Sequence, residues 1–155
     1  MAVYLNKDGI YNTTGRIVNF TSGSHTGSRI NLGFFGASGA NYVHVKTNLG
    51  GSTDRMVKFE YDGYTYSSLN VHNSVTFYTY SGTSTPYTPR LVNWGNITGG
   101  IVNYYYSSDD YVVIVLQTNN LYTGGFLYAQ SGRSHVWHEM AVLAHSSSNN
   151  NSGVY

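Results

Sequence analysis

Charge is what this sequence has least of. Only 10% of its 155 residues are Asp, Glu, Lys or Arg, against about 25% in an ordinary soluble protein. The eight Lys and Arg stand singly and the formal net charge is +1, so no basic stripe exists that could track a phosphate backbone by counterion release. A nucleic-acid partner is not expected. Weak repulsion between copies leaves self-association open.

Cysteine is absent, which excludes disulfides, thiolate nucleophiles and Cys-ligated zinc. Proline is nearly so, with 2 residues against 18 Gly, and that balance favours short hairpin turns over rigid linkers. No apolar run approaches the ~18 residues of a membrane span. The opening stretch from Met1 to Asn12 lacks the apolar core of a signal peptide. Neither membrane insertion nor classical secretion is expected, and the chain reads as soluble.

Helical periodicity is also missing. In its place β-branched and aromatic residues alternate with polar ones over short runs, divided by Gly, Asn and Ser. The runs lie at 16–20, 29–35, 42–47, 55–66, 74–80, 101–106, 111–116, 125–131 and 136–144. The Asp62-Gly63 pair is expected to interrupt the fourth. About eight or nine short strands in one domain predict an all-β fold, an antiparallel β-sandwich of the jelly-roll type. Residues 1–15 are read as an attachment or strand segment, 16–145 as the sandwich and 146–155 as a flexible polar tail.

Two of these runs are apolar on both faces. In Tyr111-Val112-Val113-Ile114-Val115-Leu116 one face carries Tyr111, Val113 and Val115, and in the run from residue 136 one face carries Val136, His138, Met140 and Val142. An antiparallel sheet usually shows one face to water, so a strand apolar on both needs another layer or another subunit as cover. These seven residues are the candidates for an oligomer interface, with a homotrimer the expected assembly.

The chemistry-bearing residues form no convincing site. His135 and His138 would point to opposite faces of a strand, and the second His of a helical zinc motif is missing. Asp109 and Asp110 supply too few oxygens for calcium and suit a turn instead. The stretch Gly36-Ala37-Ser38-Gly39 falls one residue short of a nucleophile elbow. No metal, cofactor or enzymatic activity is expected. His44 and Lys46 share one strand face and are read as exposed or paired across strands.

Tyrosine is what the sequence has in excess, at 16 positions. A Tyr ring is large and rigid, and its hydroxyl tolerates water, so Tyr with Ser, Gly and Asn makes an adaptable recognition surface. Tyr78, Tyr80, Tyr87, Trp94, Tyr104, Tyr105, Tyr106 and Tyr122 fall in or beside the expected loops. They are the candidate ligand-binding residues, suited to stacking on sugar rings or packing on a protein.

Three segments also carry a family resemblance. Asn41-Tyr42-Val43-His44-Val45-Lys46-Thr47-Asn48 resembles the Tyr-aliphatic-His-aliphatic-Lys-Thr-Asn strand of small structural proteins of marine and cyanobacterial tailed phages. Tyr105-Tyr106-Ser107-Ser108-Asp109-Asp110-Tyr111-Val112-Val113 resembles their Tyr-rich hairpin, with Asp110 where Gly is expected, and the strand ending Ala144-His145-Ser146-Ser147 is similar to theirs. The resemblance implies a virion structural protein, a tail-fibre or appendage tip that binds a host-surface glycan or protein beside other virion proteins. By fold-level analogy such tips are similar to the trimeric jelly rolls of complement-type and tumour-necrosis-factor-like heads. A capsid decoration or joining protein is the alternative, and a glycan depolymerase a further one.

Overall fold

The computed structural model describes residues 3–6, 9–12, 18–22, 25–36, 41–66, 70–95, 99–118, 122–133, 135 and 142–150, with the backbone alone for 3–28, 95, 142 and 143. The described residues contain no helix. Their strands are β1 (Val3–Asn6), β2 (Gly9–Asn12), β3 (Val18–Ser22), β4 (His25–Gly36), β5 (Tyr42–Gly50), β6 (Arg55–Tyr64), β7 (Val71–Thr79), β8 (Tyr87–Gly95), β9 (Gly100–Tyr106), β10 (Tyr111–Gln117), β11 (Gly124–Ser131) and β12 (Val142–Ser146).

β1 and β2 form a separate hairpin, while the rest divide into a six-stranded sheet, β3-β4-β11-β6-β7-β8, and a four-stranded sheet, β12-β5-β10-β9. Every pairing within them is antiparallel. The chain passes repeatedly between the sheets, so that β11 inserts between β4 and β6, and β5 between β12 and β10. The result is an antiparallel β-sandwich in which β6-β7-β8 form a meander within one sheet.

Alternation explains which side chains lie between the sheets. Val57, Phe59 and Tyr61 of β6, Val75 and Phe77 of β7, and Leu127 and Ala129 of β11 face Val43 and Val45 of β5 and Val112, Ile114 and Leu116 of β10 in one core. Phe77 stacks on Phe59 at 5.9 Å and on Tyr104 of β9 at 5.7 Å, so three rings bridge the two layers. Gly63 and Gly125 are directly paired, and a Cβ on Gly63 would come within 2.6 Å of the Gly125 Cα. Two bare residues here allow β6 and β11 to meet closely above the Tyr61 ring.

Beyond shifts of a few residues at strand ends, the strand pattern differs from the expected one as follows. No strand was expected over 87–95, where β8 lies. It is an edge strand, where Pro costs no ladder bond, and the register shifts beside Pro89 with Thr88 at φ 47°. β6 runs through Asp62-Gly63 without a bulge and ends at Tyr64 instead of Tyr66. The strand expected over 136–144 is described only from Val142, with 136–141 outside the described residues.

β10 is apolar on both faces, as expected, yet its second face is covered within the single chain. Val113 and Val115 are fully buried there with Tyr105, and Tyr42 and Val102 pack against them. They are therefore not available as an oligomer surface, which corrects that reading. Tyr111 stays partly exposed beneath Lys46, whose Nζ lies 5.5 Å from its ring centroid. Val136, His138 and Met140 lie outside the described residues, and Val142 is placed only by its backbone pairing with Lys46.

One side chain fastens the open end of the sandwich. The buried Asn73 of β7 donates from Nδ2 to the Ile101 carbonyl at 2.9 Å and accepts the Ile101 N–H on Oδ1 at 3.0 Å, pairing with β9 as a strand backbone would. Gly100 makes this possible, since at φ 74° it has no Cβ, and one would lie 2.6 Å from Asn73 Oδ1. Replacing Asn73 with Ala strands two buried backbone groups, and stability in urea melts should fall by about 1–3 kcal/mol. A loss too small to resolve would show that this clasp does not hold the sheets.

Candidate functional site

The outer faces of the two sheets differ in character. On β11 the outward residues are Gly124, Phe126, Tyr128 and Gln130, alternating with the buried Gly125, Leu127, Ala129 and Ser131. On β4 Arg29 and Asn31 point outward, and alternation alone would send Phe34 inward. A bulge opposite Leu127 and Tyr128, at Gly33 with φ 138°, changes the parity, so that Leu32 and Phe35 stay buried and Phe34 emerges beside Phe126.

Cross-strand register then aligns these side chains into rows across five strands. The first row is Phe34, Phe126, Asp62, His72 and Trp94, on β4, β11, β6, β7 and β8. Phe34 meets Phe126 edge-on at 5.2 Å, His72 meets Trp94 edge-on at 6.2 Å, and His72 Nδ1 lies 3.8 Å from Asp62 Oδ1 between the two ring pairs. Trp94 is 65% exposed and Phe34 53%. Large rings so open to water, collected in one place, make this face the candidate interaction surface.

The aromatic surface continues along the strands. Tyr64 and Phe34 both lean over Gly124, where a Cβ would lie 2.6 Å from Phe34 Cζ and 2.9 Å from the Tyr64 hydroxyl oxygen. Beyond them Tyr66 and Tyr122 pair at 5.2 Å, both well exposed. In the other direction Tyr128 lies 6.4 Å from Phe126 and carries the Arg29 guanidinium 4.9 Å above its ring. Glu60, opposite Tyr128, is bridged by Arg29 at 3.5 Å and Lys58 at 3.0 Å.

The expected ligand residues separate into three groups. Trp94 and Tyr122 belong to this surface. Tyr78, Tyr80 and Tyr87 form a ladder with 6.0 Å spacings at the opposite end of β7 and β8, with Tyr78 half-buried. Tyr104 packs against the core, and Tyr105 and Tyr106 are buried, so the reading of these three as loop residues is corrected. They precede the Ser107–Asp110 turn and belong to β9, both of whose faces are covered. Asp110 takes φ 63° in that turn, the region Gly enters most easily, which accounts for the expectation of Gly there.

Phe34, Asp62, Tyr64, Tyr66, His72, Phe126 and Tyr128 were not anticipated. The alternation of 124–131 carried the signal for Phe126 and Tyr128, whereas Phe34 depended on a bulge that alternation cannot show. Glu60 and Asp109, acidic residues that a depolymerase would have to bring together, stand apart. Glu60 is on this face, while Asp109 lies in the β9–β10 turn, where hydrogen bonds from Lys46 Nζ at 2.6 Å and the Ser107 hydroxyl at 2.6 Å hold its carboxyl below the ordinary range. Among the described residues no three His, Asp or Glu come together as a metal group would require.

The outer face of the four-stranded sheet is closed around His44, which was read as exposed or paired across strands and is buried with a partner on another strand. Its Nε2 lies 2.8 Å from the Ser148 carbonyl and its Nδ1 2.8 Å from the Tyr105 hydroxyl. A carbonyl only accepts, so the proton sits on Nε2, and Nδ1 accepts from Tyr105. The Asn149 carbonyl accepts from Asn103 Nδ2 at 2.5 Å, so the chain after β12 reaches across from β5 to β9.

Burial lowers the pKa of His44 despite the Ser148 carbonyl, so the folded value lies below the ordinary value of about 6.5. The unfolded chain then binds the proton more readily, and stability is full above about 6.5 and declines as pH falls toward the folded value. Urea midpoints should drop between pH 7.5 and 5, and His44→Gln should flatten that slope. An unchanged slope in the variant would remove His44 as its source.

No protein-family model, curated protein or solved structure matches the chain.

Proposed function

We propose that this chain is a non-enzymatic recognition domain, the tip of a phage tail fibre or similar virion appendage, which lays a host-surface glycan across the outer face of its six-stranded sheet. The row Phe34, Phe126, Asp62, His72 and Trp94 carries the proposal. A pyranose offers an apolar C–H face and a rim of hydroxyls. Exposed rings suit the first, and a carboxylate and imidazole set between them suit the second.

Strand spacing sets the scale. Phe126 and Trp94 lie three strands apart, about 14 Å, which matches an extended saccharide better than a single sugar. A sheet surface also encloses little, whereas sites for isolated small molecules are concave. The virion setting is supported by the Tyr42–Asn48 strand and the Tyr105–Val113 hairpin that resemble tailed-phage structural proteins.

Homotrimeric assembly is part of the proposal, supported by the antiparallel β-sandwich and the low net charge. Its contacts exclude Val113 and Val115, which one chain already buries. Three faces on one axis would multiply weak single-site affinity. Light scattering at micromolar concentration should give three times the chain mass, and a monomer would remove this part.

Binding to host-cell polysaccharide or a glycan array should weaken roughly tenfold or more in Phe126→Ala and in Trp94→Ala, equivalent to about 1.4 kcal/mol for each lost ring. Tyr87→Ala, at the far end of the face, should bind as the parent does. Undiminished binding by both ring variants, with melting unchanged, would place the site elsewhere.

A further inference from the structure

We infer that the glycan held on this face is acidic, with its sugar carboxylate bound between Arg29 and Lys58 beside the Tyr128 ring. This rests on the glycan reading above and names the ligand's chemical class. The register gives the reason. Two rows from the Phe34–Trp94 row lie Arg29, Gln130, Lys58, Thr76 and Arg90, on the same five strands and the same face. The whole chain has eight Lys and Arg, and three of them fall in this one row.

Among the described residues the face does not neutralise them. Glu60, the carboxylate within reach, is shared between Arg29 and Lys58 and is itself largely covered, at 16% side-chain exposure. One negative charge thus meets two positive ones, with Arg90 adding a third along the row. Asp62, the other carboxylate of the face, lies in the first row and turns to His72. Positive charge is therefore in excess along one line and absent from the line of exposed rings.

Arg29 is poised for an anion. Its guanidinium rests over Tyr128, and its side chain is 53% exposed, so the planar fork is held in place while part of it faces water. A stacked guanidinium loses little freedom on binding, and its parallel N–H groups match a carboxylate in bidentate fashion. A uronate carries its carboxylate at the rim of the sugar ring. A sugar ring lying beside Tyr128 therefore brings that group toward Arg29 on one strand or Lys58 on another.

The experiment compares three probes on the full chain at low salt: oligogalacturonate, the same oligomer with its carboxyls reduced to alcohols, and dextran sulfate. Oligogalacturonate should bind at least tenfold tighter than its reduced form, and the ratio should shrink as ionic strength rises. Arg29→Gln and Lys58→Gln should each erase most of that ratio by weakening the acidic oligomer far more than the reduced one. Equal binding of the two oligomers, or dextran sulfate preferred over both, would overturn the carboxylate assignment. If the reduced oligomer binds in a Trp94-dependent way without an acidic preference, this inference fails and the glycan reading stands. If no carbohydrate of either kind binds, the glycan reading itself fails.

Discussion

Strand β10 carries apolar side chains on both faces, while a two-layer sandwich covers only one face of each sheet. Val112, Ile114 and Leu116 enter the main core, and Val113 and Val115 must find cover on the outside of the four-stranded sheet. Tyr105, Tyr42 and Val102 close over them, and the chain following β12 crosses from His44 to Asn103. Much of the surrounding chemistry follows from this requirement. His44 is buried as a neutral ring with both nitrogens engaged, and Lys46 turns to Asp109 at the edge of the covered region.

That closure divides the labour between the two sheets. The four-stranded sheet spends its polar groups on internal bonds, whereas the six-stranded sheet leaves Phe34, Phe126, Tyr64 and Trp94 exposed with Asp62 and His72 among them. The scarcity of charge acquires a meaning in this arrangement. In a chain with so few ionic groups, three cations fall in a single cross-strand row of that face.

Much of the fold was legible because a period of two survives wherever one sheet face is buried, as in Val57, Phe59 and Tyr61. β8 escaped because an edge strand tolerates the Pro and the left-handed Thr that ordinarily mark a loop. The site was less legible. Trp94 and Tyr122, singled out by residue type, are exposed, but Tyr104–Tyr106 are also aromatic and lie in packed surroundings. Whether a ring binds or packs depends on which face it occupies, and at Phe34 one inserted residue decided that. His44 was misjudged for a related reason, since alternation says which residues share a face and not what covers it.

The central claim is that the outer face of the six-stranded sheet meets the ligand while the outer face of the four-stranded sheet is sealed. NMR of the isotopically labelled chain titrated with host-cell polysaccharide tests it most directly. The account predicts that resonances of Phe126, Asp62, His72 and Trp94 shift while those of Tyr105, Val113 and Val115 stay in place. Perturbations centred on β9 and β10, with the Phe34–Trp94 row unmoved, would contradict it.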